Sequence, residues 1–460
     1  KALMRGMIAM FMYDLIEKKK EKKELTKQEL YDLINGYVKE EIPDYQMSAF
    51  LMAVCFQGMT ERELLDFTMA MAESGECLDL SKISGYKVDK HSTGGVGDKT
   101  TLILAPMVAA LGIPMIKMSG RGLGYTGGTI DKLESIPGLK TALSEKEFLD
   151  QVERIKIAVT SQTKTLAPAD KKLYALRDVT ATVDSLPLIA SSIMSKKLAA
   201  GADVLVLDVK TGSGAFMKTQ KEAIHLAQEM TSIGIKAGRT TYAVITDMNQ
   251  PLGYAVGNAL EVKEAVGILR GEIGAKDLLE DCLILGSYLV YGAKRATSPK
   301  EAKKLLMETI TSGKAYKKFE ELVMTQGGDL HTIRDLDLLA PASIIQEVTS
   351  KEEGFVTSFS TGELGMVSLM LGGGRTKKED SIDPAVGFWL KKKLGDPVKK
   401  GEPLAVFYAN SKEKLERAKE RFFQAVQISK EFKNPPKHWY GVITEKGYQE
   451  AETIEKDFVL

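Results

Sequence analysis

The stretch VDKHSTGGVGDKT, residues 88–100, joins a short β-forming run to a long apolar segment. It contains three glycines together with Lys90, His91 and Ser92. Glycines let the backbone approach a ligand closely, and the free N–H groups of a helix beginning near Asp98 favour negative charge. The stretch therefore predicts a strand, an anion-binding loop and a helix N-terminus, although a tight strand-to-helix turn would use some of the same residues.

A second glycine-rich loop, KMSGRGLGYTGGTIDKLE at residues 117–134, follows the next predicted strand. It adds Ser119 and Thr129 as further hydroxyl groups. Two polar glycine loops on neighbouring strands favour a ligand site over a pair of turns. The first loop has neither the G-K-[ST] ending of a nucleotide-hydrolysing loop nor the glycine spacing of a dinucleotide-binding loop.

The beginning of the chain has the pattern of a helical lobe. Thr26 with Glu29, and Thr60 with Glu63, have the spacing of capping boxes, and each precedes apolar residues at helical spacing. From about residue 80, short β-rich runs alternate with glycine loops and helical segments, which is typical of an α/β domain with a largely parallel sheet. Ligands usually bind where such strands end.

The sequence predicts three parts. They are a small all-helical lobe, a large α/β domain with a mixed, largely parallel sheet, and a C-terminal α+β part. The turn GDPVKKGEPL at 395–404 resembles the hammerhead turns of biotinyl and lipoyl carrier modules, so we expect a hammerhead-like β region there. The expected boundaries are 11–75 with a return at 165–200 for the helical lobe, 80–160 and 201–340 for the α/β domain, and 345–460 for the C-terminal part.

Composition excludes some classes of protein. The chain has 63 basic and 62 acidic residues, a balance that argues against a general nucleic-acid binder. No stretch has the roughly 18–20 apolar residues of a membrane span. We interpret the first ten residues as an extension rather than a signal peptide, and the three widely spaced cysteines as buried, reduced thiols. A cytoplasmic protein is expected.

Three segments resemble one enzyme family. SGRGLGYTGGTIDKLE resembles the signature of the thymidine and pyrimidine-nucleoside phosphorylases, and DKHSTGGVGD resembles their phosphate loop. YALRDVTATVDSLPLIASSIMSKKLAAGAD, residues 174–203, resembles their pyrimidine-binding segment. The resemblance runs from about residue 11 to the C-terminus, and it is greatest for the bacterial enzymes that act on both uridine and thymidine.

The resemblance implies reversible phosphorolysis of uridine, thymidine and deoxyuridine to the free base and a (deoxy)ribose 1-phosphate. It implies phosphate as co-substrate, no organic cofactor and a homodimer. Carried over by position, the implied phosphate ligands are Lys90, Ser92, Ser119 and Thr129, with Thr101 assisting. The implied base-binding residues are Arg177, Ser192 and Lys196, with Tyr174 and Thr93 nearby, and the implied catalytic residues are His91, Arg177 and Lys196.

These residue types suit the chemistry. Phosphate is already a nucleophile, so no Ser/His/Asp triad is required. The leaving pyrimidine gains negative charge, which Arg177 and Lys196 can stabilise. Ser192 and Lys196 are four residues apart and would share one helix face. His91 can donate a proton or a hydrogen bond to the departing base, or it can simply orient that base.

One position departs from the resemblance. Some bacterial relatives bind potassium through a threonine where this chain has Lys99, together with groups at Gly97, Leu252, Ala255 and Glu264. A lysine ammonium resembles potassium in charge and could fill the site itself. The sequence therefore predicts weak or no potassium dependence.

Three alternatives remain open at this level. The first is a phosphorylase restricted to thymidine. The second, more distant, is an enzyme like anthranilate phosphoribosyltransferase, which would release pyrophosphate and depend on Mg²⁺. The third is a catalytically silent nucleoside-binding protein.

Overall fold

The structure, a computed structural model, describes residues 11–122, 127–163, 165–272, 274–377 and 380–454. The first ten residues, interpreted above as an extension, lie outside this range. The helices are α1 Met12–Lys20, α2 Lys27–Val38, α3 Asp44–Gln57, α4 Glu61–Ala72, α5 Thr100–Ala110, α6 Thr129–Leu133, α7 Glu145–Ile155, α8 Pro168–Arg177, α9 Leu186–Ala199, α10 Gln220–Lys236, α11 Asn258–Leu269, α12 Lys276–Gly292, α13 Pro299–Thr311, α14 Lys314–Thr325, α15 Leu330–Arg334, α16 Thr361–Ser368, α17 Lys412–Ala425 and α18 Ala451–Ile454.

The strands form three sheets. They are β1 Val88–Ser92, β2 Met115–Ser119, β3 Ile157–Ser161, β4 Val204–Thr211, β5 Thr240–Asp247, β6 Ala255–Val256, β7 Ile344–Thr349, β8 Gly354–Phe359, β9 Gly387–Leu390, β10 Pro397–Val398, β11 Pro403–Ala409, β12 Val426–Ser429, β13 Trp439–Thr444 and β14 Gly447–Glu450. The largest sheet has the order β14-β13-β5-β4-β1-β2-β3.

This seven-stranded sheet is mixed. β1 pairs in parallel with β2 and with β4, and β2 pairs in parallel with β3. All eight residues of β4 are buried, which accounts for its apolar first half, VLVL, while Asp208 and Lys210 are buried charges in its second half. The last two strands, β13 and β14, pair with each other antiparallel, and β13 pairs antiparallel with β5. Residues 439–450 therefore extend the same sheet that carries the glycine loops.

The described chain divides into two compact units. The smaller contains the chain up to Leu80, Thr163–Ala202 and His225–Thr241, and the larger contains the remainder. In the smaller unit, Ala169, Leu173 and Leu188 belong to the same apolar core as the side chains of α1–α4. Both capping boxes predicted for this unit are present, at the starts of α2 and α4.

Two antiparallel sheets complete the larger unit. One has the order β10-β8-β12 and the other β6-β9-β11-β7. The turn 399–402, in the segment predicted to be hammerhead-like, connects β10 to β11. The expected fold class is confirmed: a helical N-terminal part, an α/β domain with a mixed sheet, and a C-terminal part with antiparallel sheets.

One expectation about the cysteines is wrong. Cys282 lies in the core of the larger unit, but Cys55 is half-buried at the edge of the helical core and Cys77 is exposed in the irregular segment after α4. Among the described residues, no helix is both long and apolar enough to cross a membrane.

Candidate active site

The first glycine loop has the predicted strand–loop–helix form. β1 ends at Ser92, whose hydroxyl oxygen accepts a hydrogen bond from the Gly94 backbone N–H at 3.1 Å. Gly94 and Gly97 have φ angles of +91° and +75°, which side chains rarely adopt. α5 then begins at Thr100. The loop therefore turns sharply enough to place a helix N-terminus beside the end of the strand.

Lys90 is buried at that helix N-terminus. Only 1% of the residue is exposed. Its ammonium nitrogen lies 2.5 Å from the Thr100 hydroxyl oxygen and 3.2 Å from a carboxylate oxygen of Asp208 on β4. Asp98 is the next nearest acid, at 3.7 Å. A positive charge is thus held in place where the first turn of α5 offers free N–H groups.

A buried charge cluster extends from Lys90 beneath the loop. Lys210 lies two residues after Asp208 on β4 and shares its face of the sheet. The Lys210 ammonium is 3.0 Å from an Asp208 carboxylate oxygen and 3.6 Å from one of Asp281. Asp208 consequently stands between two ammonium groups. The sequence-based search did not identify these residues, since they are apart in the chain from the loop they support.

The two acids at the ends of this cluster are affected in opposite ways. Burial alone raises the pKa of the Asp98 carboxyl, but Lys90 and Lys210 outweigh that effect and hold its pKa well below the usual value. Burial raises the pKa of Asp281 well above the usual value; Lys210 opposes this rise and Asp208 adds to it. Asp98 is therefore ionised at neutral pH, while Asp281 retains its proton to higher pH than an ordinary aspartate.

The second glycine loop begins at the neighbouring strand. Ser119 is the last residue of β2, as Ser92 is of β1, and the two strands are parallel neighbours. Thr129 is the first residue of α6, and Thr101, which is 6% exposed, is the second of α5. The structure thus brings the predicted phosphate ligands to one edge of the sheet. Residues 123–126 of this loop lie outside the described chain.

His91 and Thr93 differ in their surroundings. His91 is half-buried on β1, and because strand side chains alternate, it faces away from the side that Lys90 and Ser92 share. The Thr93 hydroxyl accepts a hydrogen bond from the Lys210 backbone N–H at 3.0 Å. Thr93 therefore fastens the loop to β4.

The smaller unit carries the predicted base-binding residues. Ser192 and Lys196 lie one turn apart on α9, and the Lys196 ammonium is 3.3 Å from the Ser192 hydroxyl. The predicted sharing of a helix face is therefore observed. Asp170 on α8, which the sequence-based search missed, accepts a hydrogen bond from Lys196 at 2.5 Å. The other carboxylate oxygen of Asp170 is buried without a hydrogen-bond partner.

The guanidinium of Arg177 is more enclosed than that of a residue whose whole side chain is available to a substrate. It is 3% exposed, and its guanidinium donates to three main-chain carbonyls, two between α8 and α9 and one in the first turn of α9. The acceptors are Thr182 at 3.2 Å, Leu188 at 2.9 Å and Val183 at 2.8 Å. Arg177 therefore fixes the segment that leads into α9, and only its remaining N–H groups could reach a ligand. The ring of Tyr174 lies 6.0 Å from its guanidinium carbon.

Lys99 occupies the position predicted for a cation. Its ammonium nitrogen is 2.8 Å from the carbonyl oxygens of Leu252 and Ala255 and 2.6 Å from a carboxylate oxygen of Glu264. Both side chains of the ion pair are fully buried. Gly97 packs against this site. A Cβ atom at position 97 would lie 2.7 Å from the Leu252 carbonyl oxygen.

A potassium ion does not fit these residues. Two carbonyl oxygens and one carboxylate are suitable ligands for it, but the ammonium nitrogen already lies within hydrogen-bond distance of all three. The Glu264 carboxylate also accepts the backbone N–H groups of Tyr254 at 2.7 Å and Ala255 at 2.9 Å. The lysine ammonium therefore already engages all three groups that would coordinate the ion.

Comparison with known proteins identifies the family. Residues 84–316 match the model of the glycosyl transferase family a/b domain, residues 13–75 that family's helical bundle domain, and residues 355–429 the pyrimidine nucleoside phosphorylase C-terminal domain. The chain is 55% identical over 420 residues to a pyrimidine-nucleoside phosphorylase of Geobacillus stearothermophilus, covering 91% of this chain and 96% of that protein. The chain belongs to the pyrimidine-nucleoside phosphorylase family. A family member from Bacillus subtilis is likewise 55% identical, over 95% of this chain and the whole of that protein.

A solved structure supports the fold independently. Anthranilate phosphoribosyltransferase from Thermus thermophilus aligns with 68% of this chain and 99% of its own, with a TM-score of 0.56. At 19% identity this likeness concerns the fold alone.

Proposed function

We propose that this protein catalyses the reversible phosphorolysis of pyrimidine nucleosides, with uridine, thymidine and deoxyuridine as substrates. The observation that carries this proposal is the 55% identity to pyrimidine-nucleoside phosphorylases over nearly the whole chain. The glycine loop supports the same proposal, because the Lys90 ammonium lies beside the first turn of α5 and a phosphate group is suited to both. Phosphate is the co-substrate, and no organic cofactor is needed.

The phosphate is held by residues of the larger unit. Its proposed ligands are Lys90, Ser92, Ser119 and Thr129, with Thr101 assisting. In phosphorolysis a phosphate oxygen forms a bond to the anomeric carbon while the bond from that carbon to the base nitrogen breaks. Two hydroxyl-bearing loops and one buried ammonium can orient the phosphate for this attack, because orientation lowers the barrier of a two-substrate reaction.

The base is held by residues of the smaller unit. Its proposed ligands are Arg177, Ser192 and Lys196, with Tyr174 nearby; Thr93 of the glycine loop is assigned to the same substrate. The electron pair of the broken bond leaves with the pyrimidine, so a fixed positive charge near a carbonyl oxygen of the base stabilises the departing base. Lys196, which is paired with Asp170, is the more exposed of the two cations, because Arg177 is 3% exposed and already donates to three carbonyls.

His91 is proposed to promote departure of the base as a proton or hydrogen-bond donor. Replacing it with asparagine, which keeps a donor but does not titrate, is expected to lower kcat by about 10²-fold. If His91 donates a proton, the pH dependence of kcat should also differ between the wild type and His91→Asn. A pH series of initial rates measures both effects. Near-normal turnover with the wild-type pH profile would leave His91 only the role of orienting the base.

Lys99 is proposed to replace the potassium ion used by some relatives. Exchanging potassium for tetramethylammonium in the assay should therefore leave the wild-type rate unchanged. Lys99→Met should lower the free energy of unfolding by about 3–5 kcal/mol, since it leaves Glu264 buried without a cation. Chemical denaturation with and without potassium measures this loss.

Lys99→Thr is the matched variant. It supplies the threonine that the family resemblance places at this position and should make activity depend on potassium. A wild-type rate that collapses in tetramethylammonium would contradict the assignment of Lys99.

The alternatives differ in their products and requirements. A thymidine-restricted enzyme would release thymine from thymidine but no uracil from uridine. An anthranilate-phosphoribosyltransferase-like enzyme would release pyrophosphate and need Mg²⁺, and a silent binding protein would release no base. Parallel assays of uridine and thymidine, each with and without phosphate, separate these cases. The proposal also includes a homodimer acting in the cytoplasm; light scattering on the purified chain measures the oligomeric state.

A further inference from the structure

A buried lysine outside the proposed substrate ligands connects the two glycine loops. Lys132 lies on α6, three residues after Thr129, and is 1% exposed. Its ammonium donates to the carbonyl oxygen of Asp98 at 2.8 Å and to that of Gly127 at 2.9 Å. A carboxylate oxygen of Glu261 on α11 lies 3.2 Å away.

Each partner belongs to a different segment. Asp98 closes the first glycine loop, and Gly127 is in the second, two residues before Thr129. Glu261 is in turn fixed at the start of α11, where its other carboxylate oxygen accepts the Gly257 backbone N–H at 3.2 Å. A single ammonium group therefore sets the spacing between two loops that have no covalent connection close to the site.

Lys132 differs from Lys90 in its hydrogen-bond partners, which are main-chain carbonyls of the two loops rather than the Thr100 hydroxyl. An ammonium group has three N–H donors and no acceptor. In this structure the ammonium donates to two carbonyls, and it lies 3.2 Å from a Glu261 carboxylate oxygen that is buried and accepts no hydrogen bond. A phosphate bound beside Lys132 would have to displace one of these buried partners.

We propose that Lys132 is a positioning residue that aligns the two glycine loops for phosphate. The inference rests on the proposed function, and it adds a residue to that function's phosphate site. Ser92 and Thr129 lie on opposite loops, so both hydroxyl groups reach one phosphate only when the loops are correctly spaced. A displacement of about 1 Å in such a site can cost about 10²-fold in rate.

The test compares phosphate binding with nucleoside binding in variants of the full chain. Lys132→Met is expected to raise the KM for phosphate by about 10–100-fold and to leave the KM for uridine unchanged. Lys19→Met is the control, because Lys19 is equally buried and paired with Glu63 at 2.8 Å but lies in the helical unit. It should lose stability without a change in the KM for phosphate.

A double variant protects the test against misfolding. Lys132→Met leaves Glu261 uncompensated, whereas Lys132→Met combined with Glu261→Gln removes both charges of this pair and keeps an acceptor for Gly257. If Lys132 only stabilises the fold, the double variant regains the wild-type KM for phosphate. If Lys132 aligns the loops, the raised KM persists.

Titration calorimetry with inorganic phosphate separates this inference from the proposed function. Weaker phosphate binding by the folded variants than by the wild type supports the positioning role, even if the wild type showed no phosphorolysis. Equal phosphate affinity and equal KM in wild type and double variant overturn it. Wild-type phosphate binding without release of base would instead contradict the proposed function.

Discussion

Lys90→Met is expected to lower kcat/KM for phosphate by about 10²–10³-fold. The methionine retains the length of the side chain but removes the charge beside the first turn of α5. It also leaves the buried Asp208 carboxylate with Lys210 as its ion-pair partner, so the free energy of unfolding should fall by about 3–5 kcal/mol. Initial rates at varied phosphate and fixed uridine measure the first effect, and chemical denaturation measures the second.

Lys303→Met is the matched control for Lys90→Met. Lys303 is 7% exposed and also belongs to the larger unit, but it lies on α13 and pairs with Glu280 on α12 at 2.9 Å. Its loss should reduce stability and leave the KM for phosphate close to that of the wild type. Equal phosphate kinetics in Lys90→Met and the wild type would remove Lys90 from the phosphate site.

Lys196→Met is expected to lower kcat for uridine by about 10²–10³-fold, with little change in the KM for phosphate. The variant removes the positive charge proposed to stabilise the departing base. The kcat of the variant should therefore depend strongly on the acidity of the leaving base. With 5-fluorouridine, whose base is the more acidic leaving group, the loss relative to the wild type should be much smaller.

The ratio of the two substrates identifies the role of Lys196. An equal loss with uridine and 5-fluorouridine would mean that Lys196 only holds the base in place. Ser192→Ala provides the comparison, because it removes a hydroxyl 3.3 Å from the same ammonium without changing the charge. Its expected effect is a raised KM for the nucleoside, similar for both substrates.

Local patterns in the sequence predicted the elements that position the site. The capping boxes at Thr26 and Thr60 are formed, and the glycine loop joins a strand to a helix N-terminus as predicted. These features depend on residues within a few positions of each other. The four-residue spacing of Ser192 and Lys196 likewise sufficed to place them together on one helix face.

Contacts between distant segments could not be predicted in this way. Lys90 meets Asp208 because β1 pairs with β4 in a register that aligns Lys90 with Val206, and no local pattern specifies that register. For the same reason the search missed Lys210 and Asp281. Lys99 is the exception, because the family resemblance indicated its distant partners. In the structure, Leu252, Ala255 and Glu264 lie around its ammonium.

The most direct test of the central claim is the stoichiometry of a single reaction. The purified chain is incubated with uridine, with and without inorganic phosphate, and uracil and ribose 1-phosphate are quantified. The account predicts that uracil is released only when phosphate is present and that one ribose 1-phosphate forms for each uracil. Release of uracil at the same rate without phosphate, or no release with either uridine or thymidine, would contradict it.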